Sequence, residues 1–332
     1  MRTTSKLFWM FDRMISPVEE VPVSYSAEIL SDAISPAGVR LTTFLVRHPR
    51  FILAEINTHR MLAKNGASSR AIPVRKRIAS IEADPFIPEE FGRNQRGMQA
   101  TTILEGLAVE QALDIWKDAC RDSIKSAKAL AEIEVHKQIA NRLLEPFAWQ
   151  TTILSATSWA NFYNRRCHRD VQPEFRIIAE LMLDLHRRSI PIHVPAGWWS
   201  MPLVSEEEHP TTDRTYYTGV YRSADNPIDW RKISAARCAR VSYLTHEGLR
   251  DLDEDLKLYE RLVSSGHLSP LEHVACAMVS RTPPAGGPFF GWDQLRKGIM
   301  NEDCLPQEDG QFVWVDRRYA WEDPSKPRPC SE

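Results

Sequence analysis

Thr58-His59-Arg60-Met61-Leu62-Ala63-Lys64-Asn65-Gly66-Ala67-Ser68-Ser69-Arg70-Ala71-Ile72-Pro73 follows directly on the apolar run that begins at Phe51. It gathers two arginines, a histidine, an asparagine and two serines in sixteen residues. Arginine presents a planar fork of donors and serine a short hydroxyl donor, a set suited to phosphate. The alternative is a solvated loop after a helix. The nearby Arg75-Lys76-Arg77 and the density of Arg, Asn and Ser favour a ligand site.

Outward from this stretch, Ile29 and Leu30 and then Leu41 to Val46 have β-branched and aromatic character, which predicts strands, the second ended by Pro49. Phe51 to Leu62 has helical spacing. Proline, glycine and charge predict irregular chain from Pro73 to Gln99. Thr102 with Glu105 reads as a capping box for a helix whose apolar stripe runs through Leu107, Ile115, Trp116 and Ile124. Further helices are expected over Val135 to Leu144, Ser158 to Arg166 and the Phe175, Ile178, Met182, Leu185 stripe. Leu252, Leu256, Tyr259 and Val263 predict another, with Gly266 where a C′ glycine belongs. His273 to Ser280 reads as a strand. Asp251-Leu252-Asp253-Glu254-Asp255 reads as an acidic helix face.

The chain has 332 residues, 42 basic and 44 acidic, for a net charge of −2. A non-specific nucleic-acid binder carries a basic excess, so any anion site here is local and no nucleic-acid partner is expected. None of the six cysteines forms a CxxC pair, which excludes zinc-ribbon and thioredoxin-type arrangements. Scattered thiols suit a reducing compartment, so a cytoplasmic location is expected, with no membrane association. There is no GxGxxG, no GxxxxGK[ST], no GxSxG and no HExxH. No metal ligand set is predicted. The boundaries read as an N-terminal arm over 1–22, a nucleotide and flavin domain over 23–199, a connector over 200–232, a block over 233–321 and a tail over 322–332.

Two further clusters carry chemistry. One holds Arg142, Arg165, Arg166, His168, Gln172 and Glu174. The other is Gly266-His267-Leu268-Ser269-Pro270-Leu271-Glu272-His273, preceded by Ala236-Arg237-Cys238-Ala239-Arg240-Val241-Ser242-Tyr243. Together with the opening stretch they resemble the flavin-dependent thymidylate synthases. That family's RHRxxSxNxxSxRY signature is matched in part by His59, Arg60, Asn65, Ser68, Ser69 and Arg70. Its Arg-x-x-Leu-Pro element resembles Arg142 to Pro146, and its ARVSY and GHxSPFEH motifs resemble the two later stretches. Here the ARVSY and SPLEH motifs follow the signature by about 200 residues, the reverse of the family order.

The resemblance implies an α+β fold, an antiparallel sheet flanked by long helices, with a C-terminal block that repeats or permutes part of it. It implies a homo-oligomer, a dimer or a tetramer. The implied reaction is reductive C5-methylation of dUMP to dTMP, with methylenetetrahydrofolate as carbon donor, FAD as hydride carrier and NADPH as reductant. It assigns Arg166 and His267 to catalysis. Glu55, Ser68, Ser69, Arg70, Arg142 and Arg166 would bind the pyrimidine deoxynucleotide monophosphate. His59, Arg60, Asn65, Asn161, Ser242 and Ser269 would hold FAD. Two departures concern the substrate: Gly66 stands where the family has glutamate, and Glu55 where it has glutamine. A carboxylate only accepts hydrogen bonds and suits an exocyclic amine, so a dCMP C5-methylase or hydroxymethylase is the alternative. A non-catalytic nucleotide-binding homologue is another.

Overall fold

The computed structural model describes residues 25–97, 99–205, 220–221, 228–241, 251–283, 286–300 and 315–316. The expected arm and tail, most of the connector, and Ser242 and Tyr243 lie outside them. Strands β1 (Ser26–Ile34) and β2 (Arg40–Pro49) form a hairpin whose turn uses Gly38 at φ +71°. Next come helix α1 (Leu53–Asn57), strand β3 (Ala63–Gly66), helices α2 (Val74–Ala83), α3 (Leu107–Glu132) and α4 (Lys137–Ala140), and strand β4 (Trp149–Ala156). Helices α5 (Ala160–Arg166) and α6 (Pro173–Arg188) lead to β5 (Ile192–His193). These strands make one sheet in the order β3-β4-β2-β1-β5, antiparallel except where β5 joins β1.

The alternation fails in β2 because both of its faces are covered. Leu41, Thr42, Thr43, Phe44 and Val46 are all buried. One face receives α6, whose Phe175, Ile178, Ala179 and Met182 meet Phe44, Val46, Ile52, Ile56 and Phe162. Each large apolar side chain buried there contributes roughly 1.5–3 kcal/mol. Helix α3 is amphipathic but packs lightly, burying only Cys120 and Ala127; Trp116 and Ile124 rest against Ile78, Ile81, Leu144 and Phe147.

The C-terminal block builds its own core. Strands β6 (Trp199–Ser200) and β7 (Val220–Tyr221), helices α7 (Trp230–Ala239) and α8 (Leu252–Ser264), and strands β8 (Ala275–Ala277) and β9 (Trp292–Gln294) follow in order. The second sheet runs β7-β6-β8-β9. Asp251 caps α8 by accepting from the Glu254 amide at 3.1 Å, and Gly266 at φ +68° ends it as expected. The strand after His273 is three residues long and joins this second sheet, not the first.

The two halves are packed together. The 3-10 turn Ser269–His273 lies against β3, and Ser155 Oγ meets His273 Nδ1 at 2.8 Å. Trp292, buried, donates from Nε1 to the Val39 carbonyl at 2.9 Å in the β1–β2 turn.

Burial lowers the pKa of His48 to about 4 and of His273 to about 3. Both imidazoles are therefore neutral in the fold, whereas an unfolded histidine titrates near 6.5. Below that pH the unfolded chain takes up protons the folded chain refuses, so stability falls with acidification until the folded pKa values are reached. Unfolding free energies from urea melts at pH 7 and pH 5 should differ by roughly 3–4 kcal/mol from this pair. Equal values at the two pH levels would contradict the buried neutral assignment.

Candidate active site

Glu55 and His59 are four residues apart, so the short α1 and the turn after it present them on one side. His59 Nε2 accepts from Arg166 Nε at 2.8 Å. The Arg166 guanidinium also lies over the Phe175 ring, 4.3 Å from its centroid, and the His59 ring stands edge-on to Phe162 at 5.0 Å. Burial, with Arg166 and Lys64 adding to it, pushes the His59 pKa down to about 4. The imidazole is thus a neutral acceptor at neutral pH. Burial lowers the Arg166 pKa while the Glu55 charge opposes the shift, which places carboxylate and guanidinium as neighbours. Glu55 Oε2 is sealed from water and, among the described residues, has no hydrogen-bond partner. A buried carboxylate oxygen without a donor is costly, and a ligand N–H would satisfy it.

The second feature converges on Glu145. Its Oε1 accepts from Ser69 Oγ at 2.6 Å, Arg142 Nη1 at 2.9 Å and Arg50 Nη2 at 3.0 Å. Arg50 also reaches Gln150 Oε1 at 2.9 Å. Ser69 is buried, whereas Arg142 and Arg70 are exposed and Ser68 half-buried at the loop tip. A cavity of about 460 Å³ opens beside Arg50, Asn57, Arg142 and Glu145. Two of the donors assigned to phosphate, Ser69 and Arg142, therefore already hold an internal carboxylate. Neither Arg50 nor Glu145 was among the site residues read from the sequence. The available signal was Glu145 itself, which stands where the Arg-x-x-Leu-Pro element has leucine. Gly66 is explained by Gln150: a Cβ at 66 would lie 2.7 Å from Gln150 Nε2, and that amide is buried and donates to the Ala67 carbonyl at 2.8 Å.

The back half reaches the signature through β3. Asn65 Nδ2 donates to the Cys238 carbonyl at 2.5 Å, and Ala67, Ile72 and Ile153 pack on Cys238 and Val241. Lys64 Nζ donates to the His59 carbonyl at 2.6 Å, and the Glu272 charge acts on it from the SPLEH turn. Glu272 in turn pairs with Arg296. His267 is exposed and Ser269 half-buried at that turn, while Arg60 and Asn161 are exposed. Among the described residues these four make no side-chain hydrogen bond to the Glu55–His59–Arg166 group. Burial raises the thiol pKa of Cys238 and Cys167, which suits inert thiols.

The acidic run 251–255 is more than a solvated face. Asp255 is buried and takes Arg237 Nε at 3.0 Å, with Arg240 at 2.9 Å on its other oxygen. Among the described residues, no helix is long and apolar enough to cross a membrane.

A family model described as "Thymidylate synthase complementing protein" matches residues 32–192. No curated protein matches the chain. Two solved structures of a UMP/dUMP methylase, PolB from Streptomyces cacaoi, are similar to it, one bound with 5-Br UMP and one with 5-Br dUMP. Each is 16% identical with a TM-score of 0.43 and covers 50% of this chain; the alignment covers 89% of the first and 91% of the second.

Proposed function

We propose, from the match of residues 32–192 to the thymidylate synthase complementing protein family, that this chain methylates C5 of a pyrimidine deoxynucleotide monophosphate, dUMP in the first instance. The observation that carries the substrate is the Glu55–His59–Arg166 group, with its unpartnered Glu55 oxygen beside a fixed guanidinium.

Glu55 Oε2 would accept the N–H of the pyrimidine edge. Arg166, held by His59 and the Phe175 ring, would keep its remaining donors turned to the base, where negative charge grows as C5 attacks the incoming carbon. Arg142, Arg70 and Ser68 would hold the phosphate, with Ser69 and Arg50 keeping Glu145 in place behind them. The donor set at Arg60, Asn161, Ser269 and His267 is exposed or half-exposed and rich in N–H and O–H groups, which fits a dinucleotide such as FAD. The Asn65 amide already serves the Cys238 carbonyl, so Asn65 would support that site through the backbone joint it makes. When bound, FAD supplies the hydride, with NADPH as its reductant and methylenetetrahydrofolate as the carbon source. His267, on the turn against β3, would border flavin and folate.

The exposed apolar side chains Leu107 and Ile115 of α3, with Ile133 just beyond it, support a second copy packing there. The free thiols suit a cytoplasmic setting. A cytosine substrate is the second candidate, because the Glu55 oxygen equally accepts from an exocyclic amine. Tritium release from C5-labelled dUMP and dCMP, with FAD, NADPH and methylenetetrahydrofolate present, separates the two. Release from dUMP is expected; release from dCMP alone would transfer the activity to cytosine, and release from neither would leave a nucleotide-binding protein.

Glu145 is a like charge close to the phosphate position. Glu145→Gln keeps the acceptor for Ser69, Arg142 and Arg50 and removes the charge. It is expected to tighten dUMP binding by about three- to tenfold while lowering stability by about 1 kcal/mol through the weakened Arg50 contact. Calorimetric titration with dUMP checks the first and a thermal melt the second. Weaker dUMP binding in a folded variant would contradict this placement.

A further inference from the structure

The loop that carries Ser68, Ser69 and Arg70 is gripped from one side. Lys137, Asn141 and Glu145 stand at four-residue steps along α4 and the 3-10 turn Asn141–Phe147 that continues it. Lys137 Nζ donates to the Ala71 carbonyl at 3.0 Å. Asn141 Nδ2 donates to the Ser69 carbonyl at 2.7 Å and to the Ile72 carbonyl at 2.9 Å. Glu145 takes the Ser69 hydroxyl at 2.6 Å. Asn141 is 1% exposed, and the two acceptors beside its nitrogen fix the orientation of its amide. Its Oδ1 is buried and, among the described residues, has no partner. A buried acceptor left open is a cost. An apolar side chain would avoid it, so what the asparagine supplies is its two donations to the loop.

The direction in which these bonds pull decides what the loop presents. In a trans peptide the N–H points away from the C=O. Holding the Ser69 carbonyl inward turns the Arg70 N–H outward, where it donates to Ser68 Oγ at 3.3 Å. The Ser68 hydroxyl, its oxygen engaged by that amide, keeps its proton for a ligand. The Arg70 side chain is exposed beside it. A loop with carbonyls turned inward and donors turned outward suits an anion. We propose that Asn141, assisted by Lys137, is a positioning residue of the phosphate grip: it touches no ligand and sets the donors of Ser68 and Arg70 by fixing the backbone beneath them. This rests on the reading that the chain binds a nucleotide monophosphate. A tie that served folding alone would lower stability without acting through Arg70.

Titration of the full chain with dUMP, in the parent and in the Arg70→Ala, Asn141→Ala and double variants, closes a double-mutant cycle. Asn141→Ala should weaken dUMP about tenfold, because the loop must then be ordered at the moment of binding. Arg70→Ala removes a charged donor and should also cost about tenfold. Since Asn141 acts through the loop that carries Arg70, the double variant should lose about thirtyfold or less, where independent losses would multiply to about a hundredfold. Lys137→Ala, at a half-exposed position, severs one tether without opening the core. It should weaken dUMP about threefold and takes the place of Asn141→Ala in the cycle if that variant is not folded by circular dichroism, with the same shortfall expected. Losses that multiply, or unchanged dUMP affinity in the folded tether variant, overturn the inference and leave the nucleotide reading standing. Absence of dUMP binding by the parent defeats that reading, and this inference with it.

Discussion

Arg166→Ala is expected to reduce turnover of the nucleotide by about 10²–10³-fold, with dUMP still bound. The guanidinium is preorganised on both sides, its Nε spent on a neutral imidazole at 2.8 Å and its plane on the Phe175 ring. It needs no reorganisation when charge develops on the base. Removing one such preorganised donor typically costs roughly 3–4 kcal/mol in the transition state. Its neighbours explain why lysine is not a substitute: a point ammonium cannot at once donate to His59 and lie flat on an aromatic ring. The measurement is single-turnover tritium release from C5-labelled dUMP in the variant, beside a dUMP titration. A variant that binds and turns over like the parent would remove Arg166 from catalysis. His59 gives an independent check, since its pKa of about 4 keeps it an acceptor through neutral pH. Turnover should show no ionisation of this group between pH 6 and 8.

Asp255→Ala is expected to cost about 3–5 kcal/mol, the largest stability loss of any single change considered. Asp255 is 1% exposed, and it answers both Arg237, itself 1% exposed, and Arg240. Removing the carboxylate takes away the charge that a buried and a half-buried guanidinium share, and breaking a buried pair from one side is expensive. Arg237 Nη1 retains the Leu203 carbonyl at 2.9 Å, which limits the loss without cancelling it. The pair joins α7 to α8, and α7 carries the Cys238 carbonyl that receives Asn65. Disorder here would therefore reach the signature strand. A denaturant melt of the variant should show a lower midpoint; a loss under about 1 kcal/mol would mean the pair is screened by water and structurally minor.

Much of the architecture was legible because burial imposes periodicity. The Phe175–Leu185 stripe became α6, Leu252 to Val263 became α8, and Gly266 took the left-handed conformation its position required. Where the local pattern misled, a non-local partner had the deciding role. Phe51 to Leu62 has helical spacing, yet the helix stops at Asn57, because Ala63–Gly66 is claimed as a strand by β4. Strand β4 itself, Trp-Gln-Thr-Thr-Ile-Leu-Ser-Ala, was not foreseen; it is buried on both faces and so lacks alternation. The segment from Pro73 to Gln99, expected to be irregular, contains α2. Thr102 and Glu105 do not cap α3, which starts after Gly106 at φ +58° with no side-chain cap. Val135 to Leu144 holds only the one-turn α4 before a 3-10 turn that accommodates Pro146.

The site followed the same division. The motif resemblance gave Glu55 and Arg166 to the nucleotide and His59 to FAD; the fold sets the His59 ring nitrogen against Arg166 instead, although 107 positions separate them. The grip of Glu145 on Ser69 and Arg142 was not legible. It depends on Arg50, whose role follows only from the turn that aims it across at residue 145. The reversed motif order had an answer in space: His273 reaches Ser155, and Asn65 reaches the Cys238 carbonyl. Motifs about 200 residues apart thus border the paired strands β3 and β4.

Titration of the purified full chain with FAD, followed by its visible spectrum before and after dUMP is added, tests most directly whether the signature stretch and the His267 turn form one flavin and nucleotide site. Bound flavin should give its yellow absorbance band, perturbed by dUMP, with both responses lost together in a His267→Ala, Arg60→Ala double variant that remains folded. A colourless protein that takes up no FAD, or a flavin band indifferent to dUMP at saturation, would contradict it.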